Sequence, residues 1–99
     1  MEFKINGVKI QSCSIRRHIK NHKRFPFEFN VYIVGRPKAQ SFGKSYKNAI
    51  VNAFALAGCG NYRTEPSLLA RMVSDAVGNG NMTWKPIIAI LRGEFSGGL

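Results

Sequence analysis

Ninety-nine residues make one domain, since single domains run to about 100–200 residues, and this excludes most multidomain enzymes and long scaffolds. Fifteen Lys and Arg against five Asp and Glu give a formal charge of +10, which points to a polyanionic partner. The 44% of hydrophobic residues excludes a disordered chain, and no apolar run approaches the roughly 18 residues of a membrane span.

Phe3-Lys4-Ile5-Asn6-Gly7-Val8-Lys9-Ile10 is the clearest local signal. Two alternating runs flank Asn-Gly, the preferred pair for a tight hairpin turn, and the second run extends toward Ile15. A basic stretch, residues 16–24, follows and ends at Phe25-Pro26. Phe27 to Val34 alternates and is rich in aromatic and β-branched residues, so it reads as a strand. Gly35-Arg36-Pro37-Lys38 is a turn, and Ala39-Gln40-Ser41-Phe42 a short last strand.

A helix is predicted next, over residues 45–57. Ser45 is its N-cap, Tyr46, Ala49, Ile50, Ala53, Phe54 and Ala57 form one apolar stripe, and Gly58 stops it. A second helix begins near Thr64-Glu65-Pro66, with Thr64 as cap and Leu68, Leu69, Met72, Val73, Ala76 and Val77 as its apolar face. Gly78-Asn79-Gly80-Asn81 breaks it. Thr83 is the expected cap of a short third helix, with Pro86 in its first turn and Gly93 at its end. Strands first and helices after give an α+β fold: an N-terminal antiparallel meander of three to four strands on an Ala-rich helix, then two short C-terminal helices. Residues 1–99 form a single domain, with a basic sheet-plus-helix part at 1–58 and a helical part at 59–99.

The charge is polarised along the chain. Residues 1–58 hold eleven Lys and Arg against two Glu, a net +9, whereas residues 59–99 carry a net +1. Arg16, Arg17, Lys20, Lys23 and Arg24 precede the aromatic strand, Arg36 and Lys38 follow it, and Lys44 and Lys47 start the helix. These nine are the candidate nucleic-acid-binding residues, because Lys and Arg displace condensed counterions from a phosphate backbone. Gln11, Ser12, Ser14, Asn30 and Gln40 can approach phosphates or bases, and Phe25 and Phe27 can either stack on bases or pack in the core.

Other motifs fall short of a catalytic set. Gly43-Lys44-Ser45 imitates the end of a phosphate-binding loop, but the pattern needs Gly where Lys38 stands. What remains is a turn into a helix, which suits one phosphate oxygen. His18 and His22 lie four apart with no neighbouring acid or cysteine to complete a metal site. They could act as the proton-transfer pair of a metal-independent ribonuclease. Cys13 and Cys59 are the only cysteines, too few for a metal cluster. Cys59 sits between two glycines, where it is either a small residue at a helix exit or an exposed, oxidisable thiol. No metal or cofactor is expected. The opening Met1-Glu2-Phe3-Lys4 lacks a basic-then-apolar signal, so the expected location is cytoplasmic, with reduced thiols.

The order of elements over residues 11–58 resembles the three-stranded-sheet-plus-helix DNA-binding domains of plant ethylene-response factors and of phage integrase arm-binding type. Residues 42–55 carry this likeness as a last strand running into its helix. The resemblance implies that a sheet face or edge enters the major groove. Ser45-Tyr46-Lys47 at the helix start is also similar to the double-stranded-RNA-binding domain. The short, basic, compact form is similar in style to small phage or mobile-element proteins. The function expected is therefore a small nucleic-acid-binding domain, not an enzyme, in which phosphate contacts dominate and duplex DNA is preferred over RNA. One alternative is a protein-interaction module, such as a phage-type inhibitor or adaptor docking on a host nucleic-acid enzyme. Its contact patch would include Leu68, Met72, Trp84 or Ile88. A second alternative is the ribonuclease using His18 or His22.

Overall fold

The computed structural model describes residues 2–18, 24–78 and 80–94. Four strands, β1 (Phe3–Ile5), β2 (Val8–Arg17), β3 (Phe27–Ile33) and β4 (Ala39–Gly43), form one antiparallel sheet in the order β1-β2-β3-β4. Three helices follow: α1 (Tyr46–Leu56), α2 (Pro66–Val77) and α3 (Lys85–Arg92). This is the α+β meander-then-helices arrangement expected from the sequence.

The first turn forms because Asn6 and Gly7 both take positive φ, 50° and 79°, the conformation that lets a two-residue turn match strand twist. The long strand β2 then needs one irregularity. Ile10 faces Ile33, but Ser12 faces Tyr32 and Cys13 faces Val31, so the register shifts between Ile10 and Ser12. The extra residue, Gln11, makes a β-bulge. It moves the inward positions of β2 from Val8 and Ile10 to Cys13 and Ile15. It also turns Ser12, Ser14 and Arg16 to the opposite face.

Helix α1 packs on the inward face of β3 and β4, while α2 packs on β1 and α3. Ser45 caps α1, its side chain accepting from the Asn48 backbone N–H at 3.2 Å. Ala49, Ile50, Ala53, Phe54 and Ala57 of the expected stripe are buried, and so is Val51. Trp84, only 1% exposed, is the keystone of the core. Its ring meets Phe3 at 5.1 Å between centroids, Phe54 at 5.9 Å and Phe29 at 6.4 Å. One side chain before α3 thus joins β1, β3 and α1, through contacts that favour edge-on ring geometry.

Two sequence-based expectations are corrected. Thr64 does not cap α2: Glu65 is the N-cap residue, without a side-chain bond, and the Thr64 hydroxyl accepts from the Asn61 N–H instead. Thr83 does not cap α3. Asn81 reaches further, its Oδ1 accepting from the Thr83 and Trp84 N–H groups, because an Asn side chain bonds backbone two residues ahead. Of the two readings of Cys59, the small residue at a helix exit holds: it is fully buried just past α1, and its thiol is pushed up to about 11 by burial, with the Arg36 charge pulling the other way. Burial likewise pushes the Cys13 thiol up to about 12, and both cysteines are free. Among the described residues, no helix is long and apolar enough to cross a membrane.

Gly43, at the end of β4, lies where the sheet touches the start of α1. A Cβ there would stand 2.5 Å from the Ala49 backbone nitrogen. Backbone cannot swing aside as a side chain can, so Gly43→Ala is expected to destabilise the fold by about 1–3 kcal/mol. Urea unfolding should show a lower midpoint at unchanged slope.

Candidate functional site

The face of β2, β3 and β4 turned away from α1 carries Ser12, Ser14 and Arg16, then Glu28, Asn30 and Tyr32, then Gln40 and Phe42. Ser14 stands opposite Asn30, and Arg16 opposite Glu28; Asn30 stands opposite Gln40, and Glu28 opposite Phe42. Ser14, Arg16, Glu28, Asn30, Tyr32 and Lys38 line a shallow pocket of about 320 Å³ on this face.

A chain of hydrogen bonds crosses the pocket floor. His18 Nε2 lies 2.6 Å from Glu28 Oε1. Asn30 Nδ2 donates to Glu28 Oε2 at 2.7 Å and to Ser14 Oγ at 3.0 Å. Ser14 Oγ and the Tyr32 hydroxyl are 3.2 Å apart. Glu28 and Asn30 are buried even though they sit on the face opposite the core. Burial raises the Glu28 carboxyl, but hydrogen bonds from Asn30, His18 and Gln40 and the charge of His18 outweigh it, leaving the group below its ordinary value. Glu28 is thus an ionised acceptor, and His18 must carry its proton on Nε2 to bond it. The same logic fixes the Asn30 amide: Nδ2 must face the carboxylate, so Oδ1 points away. Oδ1 is buried and has no hydrogen-bond partner among the described residues.

No acid neighbours His18 in sequence, and strand pairing brings Glu28 to it across the sheet. Among the described residues, no group of three or more His, Cys, Asp or Glu is placed to hold a metal ion. His22 lies outside the described residues.

The nine candidate cations are divided among several surfaces. Arg16 and Lys38 line the same pocket. Arg17 points to the other face, its guanidinium 5.5 Å from the Phe27 ring centre, a cation–π contact. Arg24 and Lys44 are exposed near the Arg16 end of the sheet, and Arg36 is exposed in the β3–β4 turn. Lys47 reaches the far end of α3, with Nζ 3.4 Å from the point a Cβ on Gly93 would occupy. There its charge meets the negative end of the helix. Lys20 and Lys23 lie outside the described residues.

Phe27 packs against Tyr46, with ring centres 4.4 Å apart, whereas Phe25 is exposed. The apolar patch expected for a protein-interaction module changes: Trp84 and Ile88 are buried in the core, and Leu68 is exposed. Tyr62 joins Leu68 in a separate shallow pocket at the α1–α2 loop and the start of α2.

Compared with family models, with curated proteins and with solved structures, the chain matches none.

The buried carboxylate makes stability depend on pH. A depressed folded-state value contributes stability that is present above the unfolded carboxyl range and lost as pH falls through the folded value. The acid limb of the stability curve should therefore be shallower in Glu28→Gln. Near neutral pH that variant should be about 1–3 kcal/mol less stable than the wild type, since it loses charged hydrogen bonds. Chemical denaturation at a series of pH values measures both.

Proposed function

We propose that this chain is a small nucleic-acid-binding domain that lays the outer face of its sheet on duplex DNA, with phosphate contacts supplying most of the affinity. The observation that carries the reading is the pocketed sheet face. It is not covered by any of the three helices, its polar groups are held in place by one another, and the Arg16 and Lys38 cations flank it. Arg24 and Lys44 lie near one end of that sheet and Arg36 near the other, so cations frame the face along its length. Preference for DNA follows from groove shape. The B-form major groove, about 12 Å wide, admits a β-ribbon, whereas the A-form major groove is too deep and narrow for side chains to read. With no complete acid–base pair assigned to a substrate, the reading is binding and not catalysis.

A second reading, a protein-interaction module, is supported by a different surface: Tyr62 and Leu68 are 62% and 43% exposed and share a shallow pocket.

Binding of the nuclease-treated protein to matched duplex DNA, duplex RNA and single strands across a salt series tests the first reading. Tight DNA binding with a steep salt slope is expected, and combined Arg16→Gln and Lys38→Gln should flatten the slope by about 0.9 per lost phosphate contact. Weak binding to every polymer near physiological salt, or an unchanged slope in the double variant, would overturn it and favour the second.

A further inference from the structure

Asn30 is buried, with 3% of its surface exposed, yet its Oδ1 acceptor has no partner among the described residues. Both of its amide protons are committed, one to Glu28 and one to Ser14, and the carboxylate forbids the flipped orientation. A buried unmade hydrogen bond costs about 1–3 kcal/mol, so native folds seldom keep one without a use. This one lies in the residue that lines the outer pocket between Arg16 and Lys38. Its needed partner is an N–H or O–H donor on a molecule that also carries negative charge for those cations.

We propose that Asn30 reads an exocyclic amino group of a base, adenine N6 or cytosine N4, in the major groove of duplex DNA. This rests on the nucleic-acid-binding reading and adds sequence preference to it. Those two amines are the base-edge donors that the major groove displays, while guanine and thymine present acceptors there. Arg16 and Lys38 take the flanking phosphates and set the register of the duplex on the sheet. Glu28 does not touch the base. It is a positioning residue, since its carboxylate fixes which way the Asn30 amide points. Oδ1 is covered in the free protein, so the base edge enters with a small local displacement of the side chains around it. An acid at the centre of a +10 chain is otherwise unfavourable to a polyanion. Its three hydrogen-bonding neighbours, His18, Asn30 and Gln40, hold it in a role that a phosphate-only surface would not require.

The test is selection of bound duplexes from a randomised pool, followed by removal of single amino groups. Each adenine of the enriched site is replaced by purine, and each cytosine by 2-pyrimidinone, with the same replacements at flanking positions as the control for weakened pairing. One position should lose about 5- to 150-fold in affinity beyond the control, with no change in salt slope. In Asn30→Ser the native and amine-free duplexes should bind equally, and that variant should keep the wild-type salt slope. Should Asn30→Ser fail to fold, the base replacements on the wild-type protein still decide. Salt-dependent binding with no enriched motif would overturn the inference and leave the binding reading standing. So would a motif indifferent to amine removal, or full discrimination retained by Asn30→Ser. No salt-dependent binding to any polymer would overturn both.

Discussion

One extra residue decides what this sheet displays. Without the bulge at Gln11, strict alternation would carry the inward set of β2 from Val8 and Ile10 on to Ser12, Ser14 and Arg16. Two hydroxyls and a guanidinium would then face α1, and Cys13 and Ile15 would face water. A one-residue shift exchanges the two faces of a strand. The bulge thus lets a single ten-residue strand serve the core at one end and build a polar surface at the other. The hydrogen bonds at Ser14, the pocket and the position of Arg16 all depend on it.

The second constraint is the Glu28 carboxylate. A buried anion is stable only with its lone pairs occupied, and here its neighbours come from three different places. His18 follows the end of β2, Asn30 shares β3, and Gln40 comes from β4. Each neighbour is thereby fixed by the charge as much as the charge is stabilised by the neighbours. The result is a polar surface with defined orientations. Flexible side chains lose little freedom on binding when they are held in place beforehand.

Much of the architecture was legible in the residues. Asn6-Gly7 marked the hairpin, the stripe from Tyr46 to Ala57 marked α1, and Gly93 closed α3 in the left-handed conformation. The pocketed face was less so, for physical reasons. Gln11 has no bulge signature of its own, and only the jump in apolar parity from Ile10 to Cys13 betrays the bulge. Glu28 and Asn30 read as the solvent side of an alternating strand, yet the residues across from them bury both. His18 meets Glu28 through strand register, not through sequence spacing, so a search for neighbouring acids along the chain misses the pair. Strongly charged positions stood out, but charge alone did not tell Arg16, on the pocket, from Arg17, on the Phe27 ring, or from Lys47, at the end of α3.

The place of Trp84 gives the polarised charge a different meaning. The basic half of the chain supplies all four strands and α1, and in sequence it looks like a detachable binding arm with a neutral appendage. Yet the indole that fills the space between β1, β3 and α1 belongs to the other half. Cutting the chain after Gly58 would remove that indole together with the buried side chains of α2 and α3 and bare the apolar surface of β1 and α1 that they cover. The fold is therefore cooperative across the boundary where the charge changes, and the nearly neutral segment acts as the internal template on which the cationic one keeps its shape.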